Sequence, residues 1–111
     1  MKKTEIYFVL KIKADFLRAL SHSSRLHILQ VLRHEERSVV KLIKQTGIEQ
    51  SNLSRHLSIL KRAGILGSLP RQRTVVYFVK NTEVFNILSS VSQVLKKNIL
   101  VNAQSMESLE G

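Results

Sequence analysis

The chain contains no cysteine. That excludes a disulfide, a thiolate metal site, a thiol nucleophile and a thiol switch. Proline occurs once and glycine four times in 111 residues, a scarcity that suits helices better than a turn-rich sheet protein. No apolar run approaches the roughly 18 residues a membrane helix needs. The run IYFVL near the start stops at Lys11, and no small-residue cleavage site follows, so MKKTEIYFVLKIKADF reads as cytoplasmic rather than as a signal peptide. A phosphate-binding glycine loop and carboxylates paired for acid–base work are also missing, so the chain is not expected to be an enzyme or to carry a cofactor. There is no internal repeat and no low-complexity segment.

Acids are scarce as well. Lys and Arg total 18 against eight Asp and Glu, a formal net charge of +10. A chain this basic attracts polyanions or anionic membranes. The charge is concentrated: residues 37–80 hold nine basic side chains and one acid, Glu49, for +8, while residues 1–36 carry +3 and residues 81–111 carry −1. A hydrophobic content of 43% marks a folded chain rather than a disordered one. The length allows one domain with a modest core.

The coarse pattern is helical at both ends. IYFVL has strand-forming residues, yet Phe8, Ile12, Phe16 and Ala19 keep helical spacing, which predicts a helix from about residue 12 and leaves 5–11 open between helix and strand. Ser23 and Ser24 offer capping hydroxyls to a helix carrying Leu26, Ile28, Leu29, Val31 and Leu32 around much of its circumference, the mark of a buried element. HEER ends it. Ser38 caps a short helix with Val39, Leu42 and Ile43 on one face, and Gly47 stops it. A further helix, 50–62, follows the turn. On a helical wheel Leu57 and Leu60 fall within about 40° of Leu53, while Ser51, Arg55, Ser58 and Arg62 lie near the opposite pole. Two such helices across a short glycine-containing turn form a helix-turn-helix. Gly64 closes the second. ILGSL then reads as a strand, PRQR as a turn and TVVYFV as a second strand, making a wing. From Thr82 an apolar stripe of Val84, Ile87, Leu88, Val91, Val94 and Leu95 predicts a last helix. The expected fold is mainly α with a small β-hairpin wing, in the order α-α-α-α-β-β-α. It spans residues 1–101 as one winged helix-turn-helix domain, with a flexible tail at 102–111.

LSHSSRLHILQVL, IEQSNLSRHLSILKRAGIL and RQRTVVYF together resemble the ArsR/SmtB-type winged-helix repressors over about residues 14–97. Arg25, the block SRHLSILKRAGI and the doublet Tyr77–Phe78 are the landmarks. The resemblance implies a homodimer that binds an inverted-repeat operator and blocks transcription. Many members of the family release DNA when a metal binds cysteines in the helix before the turn, or Asp and His in the last helix. Here those places read ERSVVKLI and TEVFNILSSVSQVLKKN, with no thiol, imidazole or aspartate. The resemblance thus carries the DNA-binding half and not the metal-sensing half, and no metal effector is expected.

The early part of the second helix of a helix-turn-helix reaches base edges in the major groove. That part holds Gln50, Ser51, Asn52, Ser54 and Arg55. Gln50 and Asn52 can pair with adenine edges and Arg55 with a guanine edge, while the serines can donate to bases or phosphates. Ser58, Lys61 and Arg62 continue the polar side. Arg71, Gln72 and Arg73 sit at the wing tip, residues 69–74, suited to the minor groove or its phosphates. Lys41 and Lys44 are further field sources and backbone anchors. The competing reading of each is a solvated surface residue. His56 lies about 60° from Leu53 on the wheel, at the border of the buried side, and is read as packed or locally hydrogen-bonded, with a phosphate contact as the alternative. His27 and His34 are seven apart and, on one helix, would share a side, but two histidines make no metal site. The dimer is expected from the apolar faces of the first and last helices: Phe8, Ile12 and Phe16 with the stripe from Val84 to Leu95. The rival function is a winged helix that binds protein or RNA, or acts architecturally, without reading DNA sequence.

Overall fold

The structure, a computed structural model, describes residues 2–98. The tail expected at 102–111 lies outside the described residues. The chain divides into two compact units between Lys80 and Asn81.

In the first unit, α1 runs without interruption over Lys3–Leu20. The helix expected from about residue 12 therefore begins nine residues earlier, and IYFVL is helical. Strand propensity describes how side chains fit a pleated, half-covered surface, and among the described residues no strand pairs with this segment. The Glu5 carboxylate instead accepts the backbone N–H of Lys2 at 3.2 Å, fixing the first turn. Lys11 and Arg18 both pair with Asp15 along one side, and the Arg18 hydrogen bond holds that carboxyl below its usual range.

α2 covers Ser23–Val31. Its cap is not a serine hydroxyl. His22 is the N-cap, and its Nδ1 accepts the Ser24 N–H at 3.1 Å. Ile28, Leu29 and Leu32 are buried while Leu26 remains exposed, so the helix has one core face rather than a wholly covered circumference. Because α2 ends at Val31, His34 does not share it with His27.

β1, Arg37–Ser38, is a strand the sequence reading missed. Ser38 does two jobs. Its backbone pairs with Val76, and its hydroxyl accepts the Lys41 N–H at 3.3 Å to start α3, Val39–Thr46. Gly47 stops α3 in the left-handed region, φ 72°, with its N–H on the Ile43 carbonyl at 2.9 Å. Thr46 tightens the same corner: its hydroxyl donates to the Leu42 carbonyl and accepts the Ile48 N–H. α4 then spans Gln50–Arg62, as expected. β2, Leu66–Arg71, and β3, Thr74–Val79, form the wing in an antiparallel sheet ordered β1-β3-β2. The hairpin is longer than expected, with Pro70 and Arg71 inside β2 and only Gln72 and Arg73 in the turn. Pro70 is tolerated because β2 is an edge strand, where a missing N–H breaks no interior ladder.

The core of this unit is Ile28, Leu29, Leu42, Leu53, Leu57, Leu60, Ile65 and Leu66, all fully buried. α2 packs on α3 and α4, and α1 packs on α2 and α4. Burying each such side chain contributes about 1.5–3 kcal/mol.

The second unit contains α5, Glu83–Lys97, whose N–H of Glu83 rests on the Asn81 side chain at 3.0 Å. Val84 is buried, and Ile87, Val91, Val94 and Leu95 are exposed.

One close contact constrains the wing. Gly67 faces Phe78 across the β2–β3 ladder, and a Cβ at Gly67 would sit 2.4 Å from the Phe78 ring. Gly67→Ala is expected to cost about 1–3 kcal/mol through this overpacking. Thermal unfolding checks it: the midpoint should fall, and adding Phe78→Leu should recover part of the loss. Equal losses in the single and double variants would show that the ring is not the cause.

Candidate nucleic-acid interface

α4 is two-sided. Leu53, Leu57 and Leu60 are at most 1% exposed, and they fix which residues face out. Gln50, Ser51, Asn52, Ser54, Arg55, Ser58, Lys61 and Arg62 are all exposed. The structure thus gathers on a single helix the eight α4 residues singled out from sequence.

Several of these side chains hold one another. Arg55 Nη2 donates to Asn52 Oδ1 at 3.0 Å, one helical turn back. The Ser51 hydroxyl donates to the Glu49 carboxylate at 2.7 Å. Lys61 Nζ donates to Ser68 Oγ at 2.7 Å, linking the last turn of α4 to β2. Such exposed bonds are weak in water and can be exchanged for contacts with a ligand.

At the wing, Gln72 and Arg73 are exposed, and Gln72 takes a left-handed φ of 56°. Arg71 is not free: its Nε donates to Glu36 at 3.3 Å. Glu35 likewise pairs with Arg37. The acids that balance these arginines, Glu35 and Glu36, directly precede β1. Exposed ion pairs are worth about 0–1 kcal/mol, so the Arg71 pair is a small barrier to any other partner.

Behind the outward face lies a cluster that sequence reasoning did not find. His56 is buried on α4. Arg25, at the start of α2, donates from Nε to His56 Nδ1 at 3.2 Å. Its Nη1 donates to the carbonyls of Arg18 and Ala19 at 3.1 and 3.2 Å. One guanidinium therefore ties the end of α1 to the middle of α4. The His22 ring lies 4.5 Å from that of His56, tilted by 52°. His22 and His56 are 34 residues apart, so no helical spacing could reveal the pair. Burial pushes the His56 pKa below its ordinary value, and the charges at His22, Arg25 and Arg55 push the same way. A neutral imidazole also suits the geometry, because Nδ1 must accept from Arg25.

Beside this cluster an open depression of about 360 Å³ lies between α1 and the end of α4, lined by Asp15, Arg18, Ala19, Arg25, Ile59, Arg62 and Ala63. Among the described residues, no three of His, Cys, Asp and Glu gather as a metal site would require, and no helix is long and apolar enough to cross a membrane.

The apolar residues expected at a dimer interface differ in exposure. Phe8 is 62% exposed, Val91 50% and Val94 56%. Ile12, Ile87 and Leu95 are also exposed, and Phe16 and Leu88 are half-buried. Val84 is already covered within the chain, 3% exposed.

A helix-turn-helix followed by a β-hairpin wing, with a polar and basic outward face on its second helix, defines a winged-helix regulator of transcription. The chain belongs to the arsR family of bacterial regulatory proteins, whose family description matches residues 22–68. It is 31% identical over 100 residues to the uncharacterized HTH-type transcriptional regulator Rv0081 of Mycobacterium tuberculosis, covering 89% of this chain and 88% of that protein. The crystal structure of NolR from Sinorhizobium fredii superposes with a TM-score of 0.77 at 32% identity, covering 85% of this chain and 94% of that one. A homodimeric winged helix-turn-helix DNA-binding domain from Mycobacterium bovis shares the fold, with a TM-score of 0.75 at 23% identity over 89% of this chain and 91% of that one.

The buried histidine gives a pH signature. The unfolded chain takes up a proton at His56 near the ordinary value of about 6.5, and the folded chain resists it. Stability from this group is therefore full above that pH and is lost as pH falls through the lower folded value. Melting midpoints measured from about pH 8 down to about 5.5 should fall on the acid side. His56→Gln, which keeps an acceptor for Arg25 but does not titrate, should flatten that fall. A wild-type midpoint constant across the range would remove the argument.

Proposed function

We propose that this ArsR-family regulator binds an inverted-repeat operator in double-stranded DNA as a homodimer and represses transcription by occupying it. α4 enters the major groove, with Gln50, Ser51, Asn52, Ser54 and Arg55 toward base edges and Ser58, Lys61 and Arg62 toward the backbone. The wing tip, Arg71, Gln72 and Arg73, lies near the minor groove. The observation that carries this reading is the division of α4: three leucines wholly inside and an exposed basic, hydrogen-bonding face outside. The concentration of +8 in residues 37–80 supplies the attraction to phosphate. No metal effector, cofactor or catalytic step belongs to this reading, and the protein acts in the cytoplasm.

The homodimer is supported by apolar surface that the single chain leaves uncovered, on α1 at Phe8 and Ile12 and on α5 at Ile87, Val91, Val94 and Leu95. Phe16 and Leu88 border those faces, whereas Val84 contributes to the chain's own packing. The M. bovis relative is itself described as homodimeric. A two-fold axis would set the half-sites about 34–36 Å apart, one turn of the duplex.

Site selection from random duplexes, followed by titration at two salt concentrations, tests the reading. Arg55→Ala is expected to relax base preference at one position per half-site, by about 1–3 kcal/mol of discrimination. Arg73→Ala should weaken all duplexes alike and reduce the log–log salt slope by about one phosphate contact, 0.9. Loss of affinity in both variants with preference unchanged would favour a general nucleic-acid or architectural role instead. For assembly, sedimentation should give a dimer at micromolar concentration, and Val91→Glu with Val94→Glu should give a monomer. A monomeric wild type at that concentration would refute the two-fold arrangement.

A further inference from the structure

Glu49 is the only acid among the nine basic residues of segment 37–80, and it directly precedes the reading face of α4. It occupies the N-cap with φ −60° and ψ 145°, yet its side chain makes no capping hydrogen bond to the helix backbone. A carboxylate at this position ordinarily accepts a backbone N–H of the first turn. Here Oε1 accepts the Ser51 hydroxyl instead, at 2.7 Å, on the exposed side of the helix. The other acids of this unit are engaged differently: Asp15, Glu35 and Glu36 each pair with an arginine, and Glu5 accepts the Lys2 backbone N–H. Among the described residues no Lys or Arg lies within ion-pair distance of Glu49. The most basic stretch of the chain thus holds an exposed carboxylate with no cation on it, steered by a neighbouring hydroxyl.

Resting on the assignment of α4 to the major groove, we infer that Glu49 is a specificity-determining residue that reads a cytosine in each half-site. An ionised carboxylate only accepts hydrogen bonds. Against phosphate it is repelled, so it cannot serve as a backbone anchor. On base edges, guanine presents only acceptors in the major groove and thymine an acceptor beside a methyl group, so both disfavour it. Adenine places its N6 donor beside the N7 acceptor. Cytosine offers the N4 amino group with no acceptor on its own edge. The Glu49 carboxylate therefore selects cytosine by attraction and excludes the other bases by repulsion, the two halves of specificity. Ser51 holds the carboxylate in place, which reduces the ordering required on binding. The simpler role, a negative charge near the positive end of the helix dipole, affects stability and leaves base preference untouched.

Bound-site selection with the full chain separates the two. Wild type, Glu49→Gln, Glu49→Ala and Arg55→Ala are each carried through selection from random duplexes, with thermal midpoints measured in parallel. The wild type should fix cytosine at one position per half-site, by about tenfold or more. Glu49→Gln, which gains an amide donor, should move that position toward adenine, and Glu49→Ala should flatten it, with the other positions unchanged. If both Glu49 variants select the wild-type sequence, the inference is overturned, whatever happens to the midpoint or to total affinity. Should Arg55→Ala alter its own position while the Glu49 variants alter none, the reading of α4 stands and only Glu49 is wrongly assigned. Should none of the three variants change any position, α4 does not read bases and both conclusions fall.

Discussion

The outward face of α4 is set by what its inward face cannot give up. Leu53, Leu57 and Leu60 are each sealed in the core. A turn of about 100° would expose them and bury Arg55 or Ser54, exchanging apolar burial for unsatisfied polar groups. That penalty runs to several kcal/mol. Arg25 adds a second restraint, at the edge of the same buried side of the helix. By donating to His56 and to two carbonyls of α1, it locks the position of α4 against the end of α1. Hydrophobic packing fixes the rotation and one guanidinium fixes the seat. The functional surface is the remainder left by these two constraints.

Much of this was legible in the sequence because it depends on period and on local stops. The leucine spacing in 53–60, the glycines at 47 and 64 and the alternating TVVYFV run each point to one element, and those elements are where they were expected. What escaped depends on tertiary proximity. β1 is two residues long and has no pattern of its own; it exists because β3 lies beside it. The His22 cap went to an imidazole although two serines follow it, a choice tied to the place of that ring beside His56. The early start of α1 was hidden by β-branched and aromatic residues whose strand preference is realised only when a sheet is there to receive them. The outward side of α4 was recoverable from one helical wheel, whereas the bonds its residues and the wing make, Arg55 with Asn52 and Arg71 with Glu36, needed coordinates.

Those pairings describe a surface that is partly organised before it meets a partner. The two α4 bonds reach three residues or fewer along the chain, so they restrict side-chain rotation at little cost in backbone freedom. Side chains already restricted lose less entropy on binding. The wing differs. Its tip carries a non-glycine residue in the left-handed region and one arginine pointed at a neighbouring acid. Order on the helix and weak, exchangeable contacts on the wing match a division in which the first discriminates and the second adheres.

The junction after α4 carries a mechanical consequence. Gly64 bends the chain, Ile65 bonds back to the Leu60 carbonyl, and the Lys80 N–H closes on the Ile65 carbonyl, so helix and hairpin are joined by only three residues, 63–65, each hydrogen-bonded back to α4. Lys61 and Ser68 bridge the same corner from outside. Such a joint has little compliance. In the proposed docking, a duplex held at two grooves by a stiff bracket would do the bending itself, and stretches of differing flexibility would then be told apart at base pairs the protein never touches.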